Sequence, residues 1–85
     1  MDLSEWRDRI DNIDQQLIDL LNQRMHCALE IGKIKRAHNQ PIRDPDREKA
    51  IINRIKQHND GPITDQALEE LYTRIMAESR NLESE

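Results

Sequence analysis

Apolar side chains recur in steps of three and four residues, with one step of seven, through the N-terminal segment of the chain. The series consists of Leu3, Trp6, Ile10, Ile13, Leu17, Leu20, Cys27, Ile31 and Ile34. This heptad-like spacing is typical of a long α-helix that packs against other helices. Because Ser4 is a suitable N-cap residue, we predict a first helix over about residues 4–38. Gly32 costs about 1 kcal/mol relative to alanine inside a helix, which weakens this helix without forcing a break.

Two shorter amphipathic segments follow, each after a turn that contains proline. Asp44 before Pro45 places a capping side chain ahead of a first-turn proline, which predicts a second helix over about residues 45–58. A third helix over about residues 65–83 carries an apolar stripe. No segment alternates with the period of a β-strand. The predicted fold is therefore all-α, with three helices in a single domain that covers residues 1–85.

The first helix is too long for a compact domain of this size. The chain has 85 residues, of which 35% are hydrophobic. A 35-residue helix is about 50 Å long, whereas a compact domain of this length has a radius of gyration of about 12 Å. The apolar stripe therefore needs a second chain to cover it. We predict an intertwined helical homodimer, the simplest closed arrangement.

Composition disfavours other means of stabilisation and other classes of partner. Cys27 is the only cysteine, and the three histidines show no spacing for a metal site. The formal net charge of −4 disfavours broad attraction to nucleic acid. No apolar run has the roughly 20 residues that span a bilayer, and the N-terminus lacks the character of a signal peptide. We therefore expect a cytoplasmic protein without nucleic-acid or membrane partners.

Two cationic residues interrupt the apolar stripe of the first helix. Arg24 lies seven residues after Leu17, and Lys35 lies four residues after Ile31. The eleven-residue step between the two cations leaves them about 20° apart around the helix and roughly 16 Å apart along it. Their side chains can converge on a small anion. The alternative is that Arg24 forms a buried ion pair and Lys35 extends to solvent.

Arg7 lies seventeen residues before Arg24, a separation of about 26 Å along the same helix. One small ligand cannot touch both residues of one chain. If both serve one site, Arg7 must come from the partner subunit. The alternative is an ordinary exposed arginine.

Five further polar residues lie at the start of the second helix or on the apolar face of the third. They are Asp44, Arg47, Glu48, Ser79 and Glu83. Each also has an ordinary explanation, as a helix cap, a surface ion pair, a serine bonded to its own helix or a solvated acid. The chain has no phosphate loop, no nucleophile with a base and no cofactor motif. An enzyme built from these residues would act by positioning and charge, without a cofactor or a metal.

These positions lie within longer segments that resemble the all-helical (AroQ) class of chorismate mutase. The matching segments cover residues 6–14, 20–24, 31–35, 41–48 and 75–79. They occur in the same order and with suitable gaps over nearly the whole chain. The resemblance implies an intertwined dimer with two shared sites. It also implies the Claisen rearrangement of chorismate to prephenate, the branch step toward phenylalanine and tyrosine.

The resemblance further assigns roles to the candidate residues. Arg24 and Arg7 of the partner subunit would each bind one carboxylate of chorismate through bidentate hydrogen bonds. Lys35 would contact a carboxylate and the ether oxygen. The ring hydroxyl would be bound by Glu48 and by the backbone near Asp44. Arg47 and Ser79 would complete the pocket.

Glu83 departs from the best-known bacterial pattern, in which the second ligand of the ether oxygen is commonly glutamine. A carboxylate would repel the negative charge that develops on this oxygen. The resemblance therefore implies a protonated Glu83, with activity that falls as pH rises and a flatter profile after Glu83→Gln.

The sequence leaves two other functions as alternatives. One is an isochorismate–pyruvate lyase, which the same fold supports with a similar lysine. The other is a non-catalytic helical dimerisation or regulatory module. The resemblance also indicates that such domains are often fused to another aromatic-pathway enzyme, so the chain is expected either to act alone or to form part of a bifunctional protein.

Overall fold

The computed structural model describes all residues from Met1 to Glu85 and contains three α-helices and no strand. Helix α1 covers Leu3–Ala37, α2 covers Pro45–His58 and α3 covers Asp65–Glu83. The predicted all-α class with three helices is confirmed. Helix α1 begins and ends one residue earlier than the predicted range.

A side-chain cap begins each helix. The predicted cap Ser4 is wrong, because Asp2 Oδ1 accepts a hydrogen bond from the Glu5 amide at 2.9 Å and Ser4 lies inside the first turn. A carboxylate at this position also interacts favourably with the positive end of the helix dipole, whereas a serine hydroxyl carries no charge. Helix α2 has the predicted cap, since Asp44 Oδ1 accepts from the Arg47 amide at 3.1 Å.

Helix α3 packs against both of the other helices, which do not pack against each other. Six of the 85 residues are buried. They are Ala28, Gly32, Ile51, Met76, Ser79 and Glu83. Two of the six are polar residues of α3 that were predicted to belong to a site, so the small core and the candidate site share the same region.

The N-terminal half of α1 projects beyond this region. The molecule measures 55 × 23 × 15 Å and has a radius of gyration of 15.9 Å, against about 12 Å for a compact domain of this length. Every residue from 1 to 23 is exposed. The exposed residues include the large apolar side chains Leu3, Trp6, Ile10, Ile13, Leu17 and Leu20. None of the three helices combines the length and apolar character that a bilayer crossing requires.

Candidate active site

A cavity of about 260 Å³ opens between the C-terminal half of α1, the start of α2 and the C-terminal half of α3. Six of the eight residues predicted for the site line this cavity. They are Arg24, Asp44, Arg47, Glu48, Ser79 and Glu83. The three helices thus bring together residues that are up to 59 positions apart in the sequence.

Arg24 reaches the cavity wall and contacts a neutral partner. Its Nη1 donates a hydrogen bond of 2.7 Å to Ser79 Oγ. Ser79 Oγ lies 3.0 Å from the Ile75 carbonyl, to which it donates. No carboxylate lies within ion-pair distance of Arg24, so the alternative of a buried ion pair is wrong. The guanidinium keeps most of its donors available to a ligand.

Lys35 lies next to Glu83 and does not extend to solvent. Its Nζ is 2.8 Å from Glu83 Oε1 and donates a hydrogen bond of 2.7 Å to the Ile42 carbonyl. The contact with Oε1 lacks the angles of a hydrogen bond, and that buried oxygen has no hydrogen-bond partner. Glu83 is only 7% exposed, which overturns the alternative of a solvated acid. An ammonium group has three donors, so Lys35 retains capacity for a ligand.

The start of α2 contributes both signs of charge. Asp44 caps the helix, and Arg47 extends from the first turn along the cavity wall. Glu48 Oε2 accepts a hydrogen bond of 2.6 Å from Arg80 Nη1. Its Oε1 lies 3.8 Å from Arg43 Nη2.

Two arginines that line the cavity were not predicted for the site, namely Arg54 and Arg80. Arg54 lies seven residues after Arg47, so a helix brings both onto one face, and this signal was available in the sequence. Arg80 directly follows Ser79 and lies off the apolar stripe of α3. Its place at the site depends on how α2 and α3 pack, which no spacing within one helix reveals.

Positive charge exceeds negative charge around the cavity. Four cationic side chains line the cavity (Arg24, Arg47, Arg54 and Arg80), and Lys35 contacts the lining residue Glu83. Against the three carboxyl groups of the lining (Asp44, Glu48 and Glu83), these five cations give a formal excess of two positive charges. The whole chain carries a formal net charge of −4. Two of the five cations pair with carboxylates, and the three arginines Arg24, Arg47 and Arg54 do not. The arrangement suits a small ligand with two negative charges.

Lys35 lies behind the cavity wall, beside the lining residue Glu83, whereas a single chain brings Arg7 neither to the wall nor next to a residue of it. Arg7 lies on the exposed N-terminal half of α1, beside a shallow depression that also involves Asp2 and Asp8. The separation from Arg24 is about 26 Å along a continuous helix.

No cluster of His, Cys, Asp and Glu side chains on the chain is suited to hold a metal ion.

The family model for chorismate mutase type II matches residues 6–84. The chain belongs to the chorismate mutase type II family. The family membership inferred from the sequence segments is thereby confirmed.

Among curated chorismate mutase relatives, the bifunctional chorismate mutase/prephenate dehydratase of Aquifex aeolicus is 37% identical over 86 residues. That match covers 96% of this chain and 24% of the relative, so the chain spans about a quarter of the length of such bifunctional proteins. The chorismate mutase of Methanocaldococcus jannaschii is 41% identical over 61 residues, which cover 67% of this chain and 62% of the relative.

Solved chorismate mutases share the fold over most of the chain. Form II of the enzyme from Thermus thermophilus has a TM-score of 0.93 at 27% identity and covers 95% of this chain and 92% of its own. The Helicobacter pylori chorismate mutase in complex with prephenate has a TM-score of 0.87 at 34% identity, with 95% and 88% covered.

Proposed function

We propose that this chain catalyses the rearrangement of chorismate to prephenate without a cofactor. Family membership and the prephenate complex of the Helicobacter pylori relative support this activity. The observation that carries the proposal is the cavity with two excess positive charges and three arginines that lack carboxylate partners. Chorismate is a dianion, and guanidinium groups bind carboxylates through two parallel hydrogen bonds.

Arg24 is the main ligand of one substrate carboxylate. Its hydrogen bond to Ser79 fixes the orientation of the guanidinium before the substrate binds, because the serine is itself buried and bonded to its own helix. Arg47 adds positive charge at the open side of the cavity. A guanidinium that is already held in one orientation lowers the entropic cost of binding and aligning the substrate.

Lys35 and Glu83 bind the ether oxygen, where negative charge gathers as the C–O bond lengthens. The Ile42 carbonyl accepts a hydrogen bond from the ammonium group and Glu83 lies beside it, which leaves N–H donors of Lys35 available to the substrate. Glu83 assists only when it carries a proton, since an ionised carboxylate would oppose the developing charge. Donors that are already aligned with the transition state account for factors of about 10² to 10³ each in kcat.

Glu48 accepts a hydrogen bond from the ring hydroxyl of the substrate, together with the backbone near Asp44. Glu48 Oε1 has no hydrogen-bond donor in the unliganded chain, which leaves it available as an acceptor. This contact orients the ring relative to the two carboxylates. The enzyme thus holds the chair-like reactive conformer and supplies no acid, base or nucleophile to a covalent step.

A second copy of the chain completes each site. The exposed apolar side chains between Leu3 and Leu20 need a cover, and α1 is long enough to carry Arg7 into the cavity of a neighbouring copy. A symmetric pair of chains satisfies both requirements at once and yields two shared sites. The second carboxylate of chorismate would then bind to Arg7 of the partner subunit.

Purified protein mixed with chorismate tests this activity. We expect the chorismate absorbance to fall and prephenate to accumulate as the product, while Lys35→Ala reduces the rate by a factor of about 10² or more. Lys33→Ala is the matched control, because Lys33 is exposed and pairs only with Glu30. Release of pyruvate from isochorismate in place of prephenate formation would indicate the lyase. Failure to convert either compound would indicate a non-catalytic module.

A further inference from the structure

Arg80 connects the two shorter helices at the wall of the cavity. Its Nη1 donates a hydrogen bond of 2.6 Å to Glu48 Oε2, and both side chains line the cavity. The side chains are 27% and 20% exposed, so solvent screens this pair less than an ordinary surface ion pair. Glu48 lies closer to Arg80 than to its other ion-pair partner, Arg43, which is 3.8 Å away.

The two oxygens of the Glu48 carboxylate differ in their surroundings. Oε2 is held by Arg80, whereas Oε1 accepts no hydrogen bond and lies 3.8 Å from the exposed Arg43. A charge-assisted hydrogen bond to Oε2 restricts the positions that the Glu48 carboxylate can take and leaves Oε1 available to a ligand. Oε1 can accept a hydrogen bond from a ligand hydroxyl, and it repels any further anionic group.

Arg80 also keeps Glu48 away from the other cations of the cavity. Arg24, Arg47 and Arg54 have no carboxylate partner of their own. A Glu48 side chain without an anchor would be drawn toward the nearest of these guanidinium groups and would compete with the carboxylates of the substrate. The separation of Glu48 from these arginines is therefore a condition for dianion binding.

We infer that Arg80 is a positioning residue that makes the site selective for ligands with a ring hydroxyl. The inference rests on the proposed function, because it concerns how Glu48 recognises chorismate. Arg80 itself does not touch the reacting atoms. It acts through Glu48, by fixing which oxygen faces the ligand and by preventing Glu48 from neutralising the anion-binding arginines.

The experiment compares two substrates, chorismate and an analogue in which hydrogen replaces the ring hydroxyl. For the parent protein we expect kcat/KM to be about 10- to 100-fold lower with the analogue, the range for one hydrogen bond to a charged acceptor. Arg80→Met should abolish most of this preference, Arg80→Lys should restore part of it, and Arg80→Met combined with Glu48→Gln should be no worse than either change alone. Arg74→Met is the matched control, since Arg74 pairs with Glu78 on the exposed face of α3.

If Arg80→Met lowers kcat/KM by the same factor with both substrates, or lowers it with neither, the preference for the hydroxyl is unchanged. Either result would overturn the inference, and equal losses would show a purely structural role. Calorimetric titration with prephenate and its deoxy counterpart repeats the comparison without turnover. If the parent protein fails to convert chorismate, the proposed function fails. The titration then still decides about Arg80, because loss of the hydroxyl preference in Arg80→Met supports its role and retention of that preference contradicts it.

Discussion

Gly32 of α1 lies directly against the backbone of Glu83, where α3 ends. A Cβ atom at position 32 would be 2.5 Å from the Glu83 carbonyl oxygen and 2.7 Å from its Cα. Arg36, one turn further along α1, donates a hydrogen bond of 2.5 Å to the same carbonyl. Carbonyl groups in the last turn of a helix lack partners within the helix, and such ends fray. Close approach at Gly32 and the bond from Arg36 therefore hold Glu83 where Lys35 can reach its side chain.

Gly32→Ala tests this contact. Alanine is a better helix former by about 1 kcal/mol, so α1 alone would gain stability. The added methyl group would instead collide with backbone atoms that cannot move without displacing Glu83. We expect a net loss of about 1–3 kcal/mol in the free energy of unfolding, together with reduced kcat. Denaturant unfolding and the chorismate assay measure the two effects, with Lys33→Ala as the neighbouring control. A more stable variant with full activity would contradict the role of the glycine.

Glu83→Gln tests the protonation requirement. Only the protonated carboxyl group donates a hydrogen bond to the ether oxygen, so the parent protein should be less active at high pH than at low pH. Glutamine donates an N–H at every pH, so the variant should lose this dependence. The measurement is kcat/KM across the pH range, with Glu78→Gln on the outer face of α3 as the control. Identical profiles for the parent protein and Glu83→Gln would remove Glu83 from the mechanism.

Leu17→Asp tests whether the exposed stripe of α1 is covered by a second copy. Leu17 is 51% exposed in the single chain, so an aspartate there costs little unless another chain covers it. In a helical interface an unpaired carboxylate costs several kcal/mol. We expect light scattering to report a monomer, with activity lost because Arg7 no longer reaches a site. Gln15→Asp places the same charge on the opposite face and should leave the dimer intact. A dimeric, active Leu17→Asp protein would contradict this arrangement.

The fold and the site differ in how far the sequence predicts them. Spacing along the chain predicts the three helices, because a helical face is a local property of residues three and four apart. It also indicates Arg24 and Lys35, since both interrupt one stripe. The sequence assigns Gly32 only a cost to helix stability, because the contact that requires a glycine there joins the backbones of two helices. Arg80 was missed for the same reason, since its partner Glu48 lies on another element.

The most direct test of the account is a mixture of two variants, Arg7→Ala and Arg24→Ala. If each site combines Arg24 of one chain with Arg7 of the partner subunit, each variant alone has no intact site. Chains that exchange at random would form mixed dimers in which one site carries both changes and the other carries neither. We predict that the mixture regains about a quarter of the parent activity. If the mixture stays inactive while differently tagged chains are shown to exchange, or if Arg7→Ala is fully active alone, the shared site is contradicted.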